Sequence, residues 1–67
     1  MSFSENIKNL RKVHGLDQAT LAQTLNVSPK TISHWETNYT EPSISQLIAL
    51  ANYFDISIDE LVGRKFF

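Results

Sequence analysis

Three pairs in this 67-residue chain set a Ser three positions ahead of Glu or Gln where an apolar periodic segment begins: Ser2 and Glu5, Ser43 and Gln46, Ser57 and Glu60. That spacing is the capping box, in which the two side chains satisfy each other's backbone donors at a helix N-terminus. Two further starts carry a single cap. Asp17 precedes one apolar periodic segment, and Ser28 precedes another with Pro29 at the first helical position, where a missing amide hydrogen costs nothing. Stop signals lie between the starts. Gly15 and Gly63 supply a left-handed backbone, Asn26 tolerates one, and Asp55 takes the turn after the fourth segment. Five short helices with little room for strands follow. The first has Phe3, Ile7 and Leu10 on its apolar face, and the fourth runs through Ile44, Leu47, Ile48, Ala51 and Phe54. Leu16 with Leu21, Val27 with Ile32, and Ile56 with Leu61 have the spacing of hydrophobic staples across a cap.

Size limits how such helices are held together. A chain this short makes one domain, residues 1–67, and buries only about 60% of its unfolded surface. It has no Cys, which removes disulfides and thiolate metal sites together. His14 and His34 have no close ligand partner at metal spacing, so neither a metal nor a cofactor is expected. Well-idealised helix packing is what remains. The stretch from Met1 to Asn6 has no basic region followed by an apolar run, and the longest apolar stretch, Leu47 to Ala51, is far too short to span a bilayer. The expectation is a cytoplasmic protein without signal peptide or membrane span, with which the absence of Cys agrees.

The second and third segments are separated only by Asn26, Val27 and Ser28, a connection of helix-turn-helix length, which places such a unit at about residues 18–37. Leu21, Ala22, Leu25, Val27, Ile32 and Trp35 are spaced to close the two helices onto each other, and Trp35 at helical spacing from Ile32 reads as core. Lys30, Thr31, Ser33, His34 and Thr37 are left for the outside of the third helix. Nearly all can donate hydrogen bonds and none is acidic, which suits the acceptor-rich base edges of the major groove. Charge alone does not suggest DNA: the net charge is −1. Residues 1–38 carry four basic and three acidic side chains, residues 39–67 two and four. Glu36, a carboxylate in the last turn of a helix, opposes the macrodipole and asks for a cation. A cationic His14 is favourable near a helix C-terminus and needs no further role. Nothing assembles a nucleophile with a base, a paired acid and base, or a phosphate-cradling glycine loop, so an enzyme is not expected and no small-molecule substrate is evident.

Taken together, Ile7 to Arg11, Gly15 to Gln18, Leu21 to Leu25, Val27-Ser28, Thr31 to Glu36 and Pro42 to Gly63 resemble the phage repressor and Cro type of helix-turn-helix, the lambda-repressor-like or Xre family. The resemblance runs from about Phe3 to Gly63 and implies an all-α, compact five-helix DNA-binding domain. It also implies double-stranded DNA as partner, with the third helix in the major groove and Pro29, Lys30 and His34 at base-reading positions, flanked by Thr31 and Ser33. Pro29 has no donor, so its readout is at best apolar. Gln18, at the start of the second helix, and Ser28, Thr37, Asn38 and Tyr39 fall where relatives touch phosphate; for Tyr39 packing is an equal alternative. Arg11 falls where relatives pair the acid at position 36, a structural ion pair. Thr40 and Glu41 stand where relatives are often basic, which weakens the case for tight binding by a monomer.

The expected function is a sequence-specific transcriptional regulator, a repressor or Cro-like protein, acting as a homodimer on a palindromic operator. The rival is a protein-interaction module of the same fold, an antitoxin or anti-repressor, which the net charge and Glu41 favour. The dimer contact falls to Phe66 and Phe67, which follow Gly63 with no helix left to bury them; a tail folded back on its own core is the alternative.

Overall fold

The computed structural model describes residues 2–63. Five helices follow one another: α1 (Phe3–Val13), α2 (Gln18–Leu25), α3 (Pro29–Glu36), α4 (Ile44–Phe54) and α5 (Ile58–Val62). Among the described residues there is no strand.

Each start is the one its cap dictates. Ser2, Ser43 and Ser57 form complete capping boxes with Glu5, Gln46 and Glu60. Asp17 accepts from the Thr20 amide at 2.7 Å, and Ser28 from the Thr31 amide at 3.2 Å with Pro29 just inside the helix. The ends share one device. Gly15, Asn26, Asn38, Asp55 and Gly63 all have a positive φ, between 55° and 77°. At four of these ends, all but the last, the next residue's amide then reaches back to a carbonyl in the final turn: Leu16 to Arg11, Val27 to Ala22, Tyr39 to His34 and Ile56 to Ala51. This paired closure satisfies carbonyls that the helix leaves open. The closure of α3 by Asn38 is absent from the sequence reading; the other four stops were legible.

The core is continuous. Ile7, Leu21, Ala22, Ile32, Trp35, Leu50, Ala51, Phe54 and Leu61 are buried, with Phe3, Leu10, Leu16, Leu25, Val27, Leu47 and Ile56 packed around them. Trp35 is 1% exposed and meets the edge of Phe3 at 6.3 Å between ring centres. Each staple pair joins a half-buried residue (Leu16, Val27, Ile56) to a fully buried one (Leu21, Ile32, Leu61). Ala22, small enough to let backbones approach, is buried where α2 packs into the same core as α3. Ile44 and Ile48, by contrast, face outward at 76% and 45% exposure. The Asn6 side-chain amide of α1 donates to the carbonyls of Glu60 and Leu61, at 3.3 and 3.1 Å, tying α5 to α1. No helix among the described residues is long and apolar enough to cross a membrane.

Candidate nucleic-acid interface

Helix α3 is amphipathic with a sharp division. Ile32 and Trp35 face inward and are buried. Pro29 and Lys30 at its start are exposed, Ser33 and His34 one turn on are half-buried, and Thr37, Asn38 and Tyr39 beyond its end are exposed again. Lys30, His34, Thr37, Asn38 and Tyr39 border one shallow concavity, so residues expected to read bases and residues expected to touch phosphate lie side by side. Among the described residues no carboxylate borders it.

The hydroxyls along this face are already committed in part. The Thr37 hydroxyl donates back to the Ser33 carbonyl at 2.9 Å and must rotate before it can donate to a phosphate. Ser28 and Thr31 share a hydrogen bond at 3.0 Å between their hydroxyls, so only one of the two has a proton left to donate outward at any moment. Lys30 has no such internal partner among the described residues. The His34 ring lies 4.7 Å from that of Tyr39, tilted by 58°.

Behind the face a polar clamp fixes α3. Arg11 of α1 donates through Nε to Glu36 Oε2 at 2.6 Å and through Nη2 to Oε1 at 3.1 Å, and its Nη1 reaches the Leu16 carbonyl at 2.8 Å. Gln18, the first residue of α2, adds its amide to Glu36 Oε1 at 3.2 Å. Three helices therefore meet on one carboxylate. Burial pushes the Glu36 carboxyl up, but the hydrogen bonds from Arg11 and Gln18 and the charges of Arg11 and Lys8 outweigh it and hold the group below its ordinary value. The Arg11 guanidinium is held above its own ordinary value, chiefly by its hydrogen bonds to Glu36. The Arg11–Glu36 pair is present as expected; the third partner, Gln18, is not one the sequence pointed to. One Gln18 amide hydrogen is spent on Glu36, which leaves the other for a phosphate.

The remaining charges stand apart. Lys8 and Lys12 are exposed on α1. His14 directs Nδ1 at the Leu10 carbonyl, 2.9 Å away, and sets its ring against Phe54. The expected dimer residues Phe66 and Phe67 lie outside the described residues.

A helix pair closed by Ala22 and Ile32, with a donor-bearing outer face on its second member, defines the helix-turn-helix class. A family model described as helix-turn-helix matches residues 7–61, and the chain belongs to that family. It is 44% identical to a transcriptional regulator from Listeria innocua, with a TM-score of 0.93 over 98% of this chain and 62% of that one. The P22 c2 repressor, solved in complex with a synthetic operator, is 34% identical with a TM-score of 0.88 over 97% of this chain and 98% of that one. The transcriptional activator BcrR of Enterococcus faecalis is 37% identical over 97% of this chain and 32% of its own length. The chain thus spans about a third of BcrR and about half the length of other curated regulators it matches.

Proposed function

We propose that this chain, as a single helix-turn-helix unit, is a transcriptional regulator that reads double-stranded DNA by seating α3 in the major groove. The observation that carries the reading is the outer face of α3: Lys30, Ser33 and His34 supply donors, no acid interrupts them, and the Arg11–Glu36–Gln18 clamp holds the helix in a fixed attitude. Lys30 and His34 read base edges, with Pro29 offering apolar contact and Thr31 and Ser33 flanking them. Gln18, Ser28, Thr37, Asn38 and Tyr39 surround that face as phosphate contacts, which position without specifying. Two copies act together on a two-fold operator, because one recognition helix carries a single cation. Occupying promoter DNA is enough for repression, as for a repressor or Cro-like protein. A second reading, a protein-interaction module of antitoxin or anti-repressor type, is favoured by the net charge of −1 and the exposed Glu41.

Selection of bound duplexes from a random library tests the choice. The expected result is a palindromic consensus whose half-sites lie about one helical turn apart. Recovery of no enriched sequence under conditions where the protein is folded would reject DNA reading in favour of the protein partner.

A further inference from the structure

Helix α3 ends in a closure that the rest of the site does not explain. Asn38 is left-handed at φ 62° and its amide bonds to the Trp35 carbonyl at 3.2 Å. The Tyr39 amide then bonds to the His34 carbonyl at 2.8 Å. In this kind of helix ending the residue past the left-handed position packs its side chain back on the final turn. Here that places the Tyr39 ring against His34, with ring centres 4.7 Å apart. Tyr39 is itself 75% exposed, so its ring adds little to the core.

We infer that Tyr39 is a positioning residue for base readout: its ring walls one side of His34 and fixes the direction in which the imidazole meets a base edge. An unwalled histidine on a helix surface samples several rotamers, and its donor points at a base only part of the time. The backbone bond from Tyr39 to His34 sets the wall on the same residue whose ring it restrains. Lys30, one turn earlier on the same concavity, has no comparable restraint among the described residues. The role needs the Tyr39 ring and not its hydroxyl, so it is distinct from, and compatible with, the phosphate contact proposed for that hydroxyl.

The inference rests on the DNA-reading proposal, and duplex selection with wild type, Tyr39→Phe, Tyr39→Ala, His34→Ala and the double alanine variant tests it, with melting measured on each protein alone. Tyr39→Phe should keep the wild-type preference. Tyr39→Ala should relax preference at the same base pair as His34→Ala, from on the order of ten-fold to two- or three-fold, with little change in melting. In the His34→Ala background the Tyr39→Ala change should have no further effect at that pair. Preference retained in Tyr39→Ala overturns the inference, as does a loss spread evenly over all sequences in both Tyr39 variants. A wild-type protein that enriches nothing overturns the DNA reading itself, a separate outcome.

Discussion

Arg11 and Glu36 are 25 residues apart in sequence, yet they meet in a two-pronged pair with Nε to Oε2 at 2.6 Å. Their side chains are 12% and 4% exposed. Glu36 closes α3, where a bare carboxylate would oppose the helix dipole; the planar guanidinium answers it in a geometry that a lysine cannot copy. The pair also joins the first helix to α3, the helix proposed to face DNA.

Removing Arg11 should therefore unfold the domain more readily. Breaking one side of a buried pair costs about 3–5 kcal/mol, and the low end applies because Arg11 keeps some contact with water. For a domain of this size about 3 kcal/mol lowers Tm by roughly 12–24 °C. Thermal melting of Arg11→Ala without DNA measures this, and Arg11→Ala with Glu36→Gln should recover part of the loss. Unchanged melting of the single variant would show that the clamp is ornamental.

Acid should act through the same carboxylate. Glu36 has a folded-state pKa below its ordinary 4.5. Its contribution is thus complete above about that pH and lost as pH falls through the lower folded value. Glu5 and Asp17 are lowered in the same sense, each first by the backbone amide it accepts from. Tm should hold from pH 7 to 5 and fall below about pH 4.5, and Glu36→Gln should flatten part of that fall. A Glu36→Gln curve parallel to wild type would place the acid sensitivity elsewhere.

What the sequence makes legible is local. Ser2, Asp17, Ser28, Ser43 and Ser57 mark every start because a cap acts within three residues of itself, and apolar spacing marks Ile32 and Trp35 as the inner face of α3. Asn38 escapes because no apolar period restarts close behind it: Thr40, Glu41 and Pro42 separate it from α4. Asn6 and Gln18 escape for a different reason. A neutral amide that finds a distant carbonyl or carboxylate leaves no periodic trace, and its partner depends on how α5 and α3 settle. Ile44 and Ile48 share the apolar spacing of Leu47, Ala51 and Phe54, yet they face outward, and Leu50, outside that set, is buried with Ala51 and Phe54. The residues proposed to read bases, Pro29, Lys30, Thr31, Ser33 and His34, all lie on one helix, so their juxtaposition needed only α3 to be right.

Asp55 offers a stabilising change. It stands left-handed at φ 55° just past α4, so it carries a negative charge at the negative end of the helix dipole. Asn keeps the tolerance for that backbone and removes the charge. Asp55→Asn should gain about 0.3–1 kcal/mol, a rise in Tm of a few degrees. A lower Tm would mean that the carboxylate itself holds a partner.

Lys30 should carry specificity more than bulk affinity. Its ammonium can donate to guanine O6 or N7, and Lys30→Ala should cost roughly 1–3 kcal/mol on the best site while relaxing one base pair per half-site. A phosphate contact would instead weaken all sequences alike and lower the salt slope by about one. Competition between consensus and mismatched duplexes separates the two results. If Lys30→Ala and His34→Ala both select the wild-type consensus, base reading does not reside on this face of α3.

The salt dependence of binding should be shallow, and this bears on stoichiometry. Each phosphate neutralised contributes about −0.9 to the slope of log affinity against log salt. Among the described residues the cations are Lys8, Arg11, Lys12 and Lys30, and Arg11 is spent on Glu36. Three remain, so even if all three met phosphate a protomer would reach about −2.7 and a pair of protomers about −5.4. Amides at helix starts and the free hydrogen of Gln18 can hold phosphate as well, but they release few counterions. If only these residues supply cations, one protomer should bind weakly, and the proposed docking of two α3 helices about 34 Å apart should be the route to useful affinity. Titrations between 50 and 200 mM salt on a palindromic duplex and on an isolated half-site measure both quantities. The expected outcome is a slope no steeper than about −5.4 on the palindrome and far weaker binding on the half-site. A monomer bound at a single half-site with undiminished affinity would reject the dimer, and a much steeper slope would require basic groups beyond Gly63 to join the interface.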